Sequence, residues 1–298
     1  MQVPTSSAFQ FPNSGGSCQK AQSIGRLRGV TNARNTYTHG HHDSELRSHR
    51  WRTVHNSAAY LIPHLRPDQR ILDVGCGPGT ITIGLARRVA PGSVVGIDNE
   101  PAPLEPARTE AGAQGVTNVS FAVGEIYQLD YPDDTFDVVH AHQVLQHLTE
   151  PVAALREMRR VCQPGGIVAV RDADFAAMTW YPVDARLDRW VELYQRVARS
   201  NRAEPDAGRR LLSWAQAAGF GTITSSASAW CYPTPEERAW WGGLWVDRIT
   251  SSALAAQAVD RGLATRDDLE EIAEGWRHWA VQDDGWFAVL HGEVLCRD

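Results

Sequence analysis

A loop of alternating glycines is the strongest chemical signal in the sequence. The loop reads Gly75-Cys76-Gly77-Pro78-Gly79 and stands between a short apolar run and a segment with helical spacing. Glycine at such a turn lets the backbone bend tightly and approach a ligand closely, so the loop predicts a bound small molecule.

Residues beside the loop narrow down that ligand. The fingerprint of dinucleotide binding places a third glycine where this chain has Thr80, which weakens the case for a pyrophosphate. A GxGxG turn entered by Asp73 suits a zwitterionic amino-acid tail instead. The carboxylate of such a tail would meet exposed loop amides, and its ammonium would meet Asp73.

Two later segments point to a nucleoside. Asp98 ends the second predicted strand about 20 residues after the loop, a distance at which a carboxylate accepts hydrogen bonds from both ribose hydroxyls. Gly124-Glu125-Ile126 follows the third strand, where a polar group would meet an adenine amine and Ile126 would cover the ring. Since Asp98 alone could equally cap the next helix, the prediction rests on the order of all these segments.

The elements that position these residues alternate between strand and helix. Apolar runs predict strands at 70–74, 93–97, 119–123, 136–140, 167–171, 222–232 and 286–295. Helical spacing predicts helices at 44–65, 80–89, 101–115, 151–161, 185–200 and 208–218, and a mostly helical insert at 234–281. This rhythm predicts an α/β, Rossmann-like, doubly wound and mostly parallel seven-stranded sheet, with an antiparallel C-terminal edge strand and helical lid insertions.

Four regions follow from this pattern. Residues 1–35 are predicted to be a disordered tail. The alternative is an organelle transit peptide, which the low content of acidic residues would allow, but Pro and Gly interrupt the amphipathic helix that such a peptide needs. Residues 36–69 form an arm and helix over the ligand, and 70–175 form the ligand-binding core. Residues 176–298 add lid helices and the last strands of the same sheet.

Composition excludes several classes of function. The net charge of -6 disfavours nucleic acid as a partner, and no run of about 18 apolar residues is available to span a membrane. Five scattered cysteines without CxxC spacing predict neither a disulfide framework nor a zinc site, so a reducing, cytoplasmic location fits best. His39, His41 and His42 lack nearby Cys or clustered acids, which favours a surface arm over a metal site.

At this point the chain resembles the class I S-adenosylmethionine-dependent methyltransferases, particularly the branch of ubiquinone and menaquinone biosynthesis. The matching segments, in chain order, are 71–80, 96–98, 123–125, 136–139, 144–148 and 155–166. The resemblance spans roughly residues 50 to 175 and is specific for the cofactor. It implies an enzyme that binds S-adenosylmethionine, releases S-adenosylhomocysteine and methylates an acceptor.

The resemblance also implies roles for individual positions. The glycine loop would lie against the methionine part of the cofactor, Asp98 would bind the ribose, and Asn99 would lie beside the adenine. Ala141 and His142 would sit beside the sulfonium, and a leading arm with Tyr37, His41 and His42 would close over the cofactor. The predicted cofactor-binding set is Asp73, Gly75, Cys76, Gly77, Asp98, Asn99, Gly124, Glu125, Ile126, Ala141 and His142. Glu125 stands where similar proteins often have Asp, which makes its contact with adenine less direct.

Methyl transfer is an in-line displacement at a sulfonium, so the enzyme must hold a nucleophile about 3 Å from the methyl carbon and exclude water. A base is optional. Candidate bases follow the fourth and fifth strands, and they are His142, His147, Asp172 and Asp174. His142 is the first choice and Asp174 the second catalytic candidate, whereas His147 suits a structural position in a helix.

The second half of the chain carries most of the 11 tryptophans. Aromatic side chains usually form core. Trp240 and Trp241 are adjacent on a predicted helix and cannot face the same way, so one of them, Trp241, is predicted to line a lid over an apolar or aromatic acceptor. Arg209 is a candidate partner for an acceptor carboxylate.

Three functions remain open at this level. The first is a methyltransferase for the O, C or N atom of a small, apolar or aromatic metabolite. The second is a nucleotide-binding oxidoreductase or binding module on the same fold. The third is a protein or RNA methyltransferase, and the net negative charge of the chain argues against it. The sequence says nothing about oligomeric state.

Overall fold

A computed structural model of the protein describes Thr38 and residues 43–298. In this part of the chain, eight strands form one sheet. The strands are β1 (Arg70–Val74), β2 (Ser93–Asp98), β3 (Val119–Val123), β4 (Phe136–His142), β5 (Cys162–Ala173), β6 (Thr179–Tyr181), β7 (Thr222–Cys231) and β8 (Trp286–Arg297). The helices are α1 (Asp43–Trp51), α2 (Val54–Ser57), α3 (Thr80–Val89), α4 (Leu104–Ala113), α5 (Pro151–Val161), α6 (Ala185–Ser200), α7 (Leu211–Ala218), α8 (Pro235–Ser251), α9 (Ala253–Asp260) and α10 (Arg266–Ala280).

The order of the strands confirms the predicted fold class. They lie as β3-β2-β1-β4-β5-β8, with β7 on the far side of β8. β1 to β5 are parallel, and β8 is antiparallel to both β5 and β7. None of the helices in the described residues is long and apolar enough to cross a membrane.

Two details of the sheet differ from the prediction. The short β6 pairs with the start of β8 and adds an eighth strand. The antiparallel β8 lies between β5 and β7 instead of at the edge, where β7 lies. The physical reason is burial: most side chains of β8 are buried, as an internal strand requires, whereas most of those of β7 are exposed.

Parallel pairing brings the ends of β1, β2 and β4 to the same edge of the sheet. Val74 is in register with Ile97 of β2 and with Ala141 of β4. The chain leaves β1 toward β2 on one side, while β4 lies on the other side. This is a topological switch point, where open α/β sheets leave a crevice for ligands.

The segment before β1 is broken where a single helix at 44–65 was predicted. α1 ends at Trp51, and Thr53 then begins α2 with a capping box. The amide of Asn56 donates to Thr53 Oγ1 at 3.2 Å, and the amide of Thr53 donates to Asn56 Oδ1 at 2.7 Å. Since these caps satisfy amides that a continuous helix would bond internally, the chain turns at Arg52. The turn places Trp51 and Arg52 at the crevice.

Tryptophan fills a second core in the C-terminal half. Trp190 on α6 is fully buried, and its ring centroid lies 4.4 Å from that of Trp245 on α8 and 4.8 Å from that of Trp276 on α10. Both pairs are T-shaped, which suits the quadrupoles of aromatic rings. This cluster packs the three helices together next to β8, whose Phe287 also touches Trp190.

Replacing Trp190 with alanine should therefore lower the free energy of unfolding by about 3–5 kcal/mol, the usual cost of removing a large buried aromatic ring. Denaturant unfolding followed by circular dichroism measures the change. Trp286→Ala is the matched control, because Trp286 is 40% exposed and should cost far less. Equal losses in the two variants would contradict the central role of the Trp190 cluster.

Candidate active site

A cavity of about 360 Å³ opens at the switch point, and we call it the main cleft. Its walls are the glycine loop, the ends of β1, β2 and β4, and the segments that follow β2, β3 and β4. Of the predicted cofactor-binding residues it gathers Asp73, Gly75, Cys76, Gly77, Asp98, Asn99, Gly124, Glu125, Ile126 and His142. Segments far apart in sequence thus meet around one space.

The glycine loop needs its glycines for conformational reasons. Gly75, Gly77 and Gly79 have φ values of 69°, 52° and 77°, in the left-handed region that favours glycine. A Cβ on Gly75 would lie 2.4 Å from Val144 Cγ2, so this position also allows the close approach of the segment after β4. The loop is therefore shaped by backbone geometry that other residues rarely adopt.

Three amides of this loop are bonded within the protein, although the sequence suggested that exposed loop amides would meet a carboxylate. The Cys76 amide donates to Ile97 O, and the Gly79 amide donates to Cys76 O. The Gly77 amide donates to Asp98 Oδ2 at 2.9 Å. Among the described residues that line the cleft, Arg52 is the one arginine or lysine, so it is the side chain with a permanent positive charge.

Asp98 stands at the end of β2 with its carboxylate fixed in place. One oxygen accepts the Gly77 amide, and the other accepts the Glu100 amide at 3.1 Å. A carboxylate offers about four lone-pair positions, more than these two backbone bonds occupy. The side chain is half-buried and lines the cleft, where a ligand can reach it.

Asp73 is buried, and its two oxygens contact two neighbouring elements. Thr82 Oγ1 of α3 donates to Oδ2 at 2.6 Å, and His140 Nδ1 of β4 lies 2.7 Å from Oδ1. The carboxylate therefore fixes the loop between strand and helix. It still lines the cleft, so it places negative charge there.

The thiol of Cys76 is no nucleophile. Burial raises the pKa of this thiol well above its usual value, and the charges of Asp73 and Asp98 add to the effect.

The residues that follow β2 and β3 differ in exposure. Ile126 is buried, whereas Asn99 and Glu125 are exposed at the mouth of the cleft.

Two adjacent residues at the end of β4 occupy different surroundings. Ala141 is fully buried in the core and is not among the residues that line the cleft, so its position beside the cofactor stays a prediction. His142 lines the cleft, is 5% exposed, and has no hydrogen-bond partner on either ring nitrogen. Alternation along a strand explains the difference, because successive side chains point to opposite faces.

Burial lowers the pKa of His142 well below its usual value, and the positive charges of Arg171 and Arg52 lower it further. The imidazole is therefore neutral at pH 7. A neutral ring tolerates a cation next to it, whereas an imidazolium would repel one.

Asp174 and Arg209 are bound to each other, which corrects both predictions made for them. Arg209 Nε and Nη2 each donate to the carboxylate of Asp174 at 2.6 Å, and the Arg209 amide adds a third bond at 3.1 Å. Neither residue lines the main cleft. A buried carboxylate in a bidentate pair is a poor base, and an arginine so engaged is a poor partner for an acceptor.

Asp172 and His147 occupy the positions next to the cleft. Asp172 is fully buried, and burial raises its pKa to about 7. Its Oδ1 accepts the Gln146 amide at 3.2 Å, so it supports the turn that carries His147. His147 lines the main cleft, a position that its helical context did not suggest.

A second, smaller cavity of about 40 Å³ adjoins the main cleft, and we call it the aromatic chamber. Three residues line both spaces, and they are Arg52, Gln143 and His147. The chamber is lined by Ser48, Trp51, Arg52, Gln143, Gln146, His147, Ala173, Phe175, Met178, Trp230, Tyr232, Trp240, Trp241, Trp245, Arg248 and Val289. Aromatic rings thus dominate its walls.

Both Trp240 and Trp241 line this chamber, although only one of the two was expected to face a pocket. Trp240 lies against Trp51, with ring centroids 5.4 Å apart, and Trp241 stacks on Tyr232 at 4.5 Å. The chamber spans the two directions in which these neighbours on α8 point, so both reach it.

Several residues of the two cavities escaped prediction. Arg52 Nη2 donates to Gln143 Oε1 at 2.7 Å, and Gln143 Nε2 lies 2.8 Å from His291 Nε2. Gln143 has a φ of 54°, which is unusual for a residue other than glycine. Its place directly after β4 was the one feature of the sequence that indicated a site residue. Arg248 and Tyr232 lie far along the chain and carried no local signal.

Some predicted residues lie outside the described part of the chain, namely Tyr37, His39, His41 and His42. Within that part, no group of three or more His, Cys, Asp or Glu is arranged to hold a metal ion.

Comparison with known proteins identifies the family of the chain. A family model described as a methyltransferase domain matches residues 65–219. An uncharacterized methyltransferase of Schizosaccharomyces pombe is 36% identical over 270 residues, which cover 87% of this chain and 95% of that protein. A probable methyltransferase of Aspergillus luteorubrus is 31% identical and covers 89% of this chain and 98% of its own.

More distant relatives share parts of the chain. The demethylmenaquinone methyltransferase of Geobacillus stearothermophilus is 36% identical over 105 residues, or 35% of this chain and 45% of that protein. Among solved structures, the YcgJ protein of Bacillus subtilis superposes with a TM-score of 0.52 at 19% identity, covering 82% of this chain and 98% of its own, and supports the fold alone. The chain therefore belongs to the methyltransferase-domain family and is a class I S-adenosylmethionine-dependent methyltransferase related to the quinone-methylating branch.

Proposed function

We propose that this enzyme methylates the O, C or N atom of a small, apolar or aromatic metabolite. The observation that carries the proposal is the aromatic chamber, which adjoins the main cleft and shares Arg52, Gln143 and His147 with it. The aromatic rings that line the chamber favour an apolar or aromatic acceptor beside the main cleft.

The proposed cofactor site uses the main cleft. Asp98 accepts the ribose hydroxyls, and Ile126 covers the adenine near Asn99, Gly124 and Glu125. Gly75, Cys76 and Gly77 form the floor under the methionine part, whose ammonium faces Asp73. Because three loop amides are already bonded within the protein, Arg52 is the proposed partner of the methionine carboxylate.

When bound, S-adenosylmethionine supplies a methyl group on a positively charged sulfur. The residues around the junction of the two cavities then have three tasks. The aromatic walls exclude water, the shared residues orient the acceptor toward the main cleft, and the neutral His142 tolerates the positive charge beside it. In this proposal residues 70–175 bind the cofactor, residues 36–69 cover it, and residues 176–298 supply the lid helices and the last strands.

His142 remains the proposed base for an acceptor that must lose a proton. Both ring nitrogens lack partners, so one of them can accept a hydrogen bond from the acceptor, and the lowered pKa means that the ring holds a proton only weakly. His147 is the nearer rival, because it lines both cavities whereas His142 lines only the main cleft. Asp174 drops out because Arg209 holds it.

The proposed setting is the cytoplasm, with no nucleic-acid partner. The net charge of -6 supports the second part, since it offers no general attraction for phosphate backbones. The cysteines that the structure describes, Cys76, Cys162, Cys231 and Cys296, are free thiols, as in reducing compartments.

Replacing Asp98 with alanine should weaken binding of S-adenosylhomocysteine by about tenfold or more, the scale of a lost hydrogen bond to a charged group. Isothermal titration calorimetry measures the affinity. Asp283→Ala removes the same charge from an exposed turn and should leave it unchanged. Equal affinities in the two variants would refute the ribose assignment, and no binding by the native protein would refute the proposed site as a whole.

The histidines buried beside the cleft should make the protein less stable in acid. The unfolded chain protonates His142 below about pH 6.5, whereas the folded chain does not, so the free energy of unfolding falls as the pH falls. His291 acts in the same direction, because burial and Arg171 lower its pKa too. Asp172 acts in the opposite direction, since its raised pKa of about 7 adds stability at acid pH that is lost as the pH rises.

Urea unfolding between pH 7.5 and 5 separates these effects. Between pH 7.5 and pH 5, the free energy of unfolding should fall less in His142→Asn than in the native protein. The difference should reach up to about 1.4 kcal/mol for each pH unit below 6.5. His64→Asn, which changes an exposed histidine, should follow the native curve. Parallel curves for all three proteins would contradict the burial of a neutral His142.

A further inference from the structure

The end of α1 forms a wall of both cavities. His49 and Arg52 line the main cleft. Ser48, Trp51 and Arg52 line the aromatic chamber. Residues three positions apart share a helix face, so neighbouring faces at the end of one helix serve the two spaces. The placement of α1 therefore decides how both cavities are closed.

On the side of the main cleft, α1 lies against the glycine loop. Thr80 Oγ1, at the start of α3, donates to His49 O at 3.1 Å. A Cβ on Gly77 would lie 3.4 Å from His49 Nδ1, so the imidazole is close to the backbone of the loop. A cofactor that lies on this loop is consequently covered by α1.

The main chain between α1 and α2 is not helical. α1 ends at Trp51, and the capping box at Thr53 begins α2. A helix of nine residues is too short to be stable by itself in water. α1 therefore depends on side-chain contacts with its neighbours to keep its place.

Two of these contacts come from α8, in the helical insert. Asp247 accepts a hydrogen bond from the guanidinium of Arg47. The next residue of α8, Arg248, donates to Ser48 Oγ at 2.8 Å, and both of these side chains are buried. Consecutive residues of α8 thus bind consecutive residues of α1. The insert holds the helix that covers the main cleft.

We infer that Asp247 is a positioning residue for the cofactor, although it lines neither cavity. It holds α1 through Arg47, and α1 in this place keeps His49 and Arg52 over the cofactor. If α1 is in place for only part of the time, the apparent affinity for the cofactor falls by the same fraction. The inference rests on the proposed function, since it takes the main cleft as the cofactor site.

Isothermal titration calorimetry of the full chain with S-adenosylhomocysteine tests the inference. Asp247→Arg replaces the attraction of a half-exposed ion pair by repulsion, so we expect binding to weaken by about threefold or more. Asp260→Arg is the matched control, because Asp260 is an exposed residue at the end of α9 in the same insert. It makes the same change of charge and should leave the affinity unchanged. Equal affinities of Asp247→Arg and the native protein would overturn the inference.

An exchange of the two charges separates this pair from a general effect of charge or of folding. Arg47→Asp combined with Asp247→Arg restores an attractive pair between α1 and α8. We expect this double variant to bind S-adenosylhomocysteine within about twofold of the native affinity, as a directly interacting pair should. A double variant that binds no better than Asp247→Arg would contradict the role of the pair.

Hydrogen–deuterium exchange followed by mass spectrometry shows whether α1 carries the effect. In Asp247→Arg without ligand, the amides of residues 43–51 should exchange about threefold faster or more, whereas those of α5 should keep their native rates. Unchanged exchange in α1 would overturn the proposed route.

The native protein serves as the reference for both proposals. If it binds no S-adenosylhomocysteine, the proposed function is refuted. If it binds this product normally and Asp247→Arg binds equally well, the present inference alone is refuted.

Discussion

The buried carboxylate of Asp73 is the constraint on which the main cleft depends. It joins three elements, because Thr82 of α3 donates to one oxygen while His140 of β4 lies against the other. A charge buried this deeply is stable only with such partners. The glycine loop is consequently held at the end of β1 and at the start of α3, and its left-handed backbone is fixed before any ligand arrives. Asp98 adds the third point through the Gly77 amide.

A second group of buried polar side chains lies across the sheet, next to the aromatic half. Arg171 of β5 pairs with Glu293 of β8 at 3.2 Å and lies 4.9 Å above the Trp230 ring. This network exists because β8 lies between β5 and β7, which brings Glu293 and His291 beside β5. Burial lowers the pKa of His142, and the positive charge of Arg171 lowers this pKa further. The position of one strand therefore sets both the protonation of the cleft and the wall of the chamber.

The sequence predicted what depends on local pattern and missed what depends on distant partners. α3, α5 and α6 have the predicted bounds, because apolar spacing and nearby proline or glycine set them. The break at Arg52 depends on a four-residue cap that general helix propensity concealed. The pairing of Asp174 with Arg209 and the burial of Ala141 depend on contacts across the fold. The chamber draws on residues from Ser48 to Val289, so no window of sequence could reveal it.

The junction between the two cavities explains why an irregular backbone persists after β4. Gln143 has a positive φ, and its amide donates to Arg171 O, which holds this conformation in place. Its side chain then bridges Arg52, from the broken N-terminal segment, and His291 of β8. A residue with ordinary strand geometry would direct its side chain out of one face of the sheet instead. The turn with a positive φ therefore positions one amide side chain between the two cavities, and it joins Arg52 of the N-terminal segment to His291 of β8.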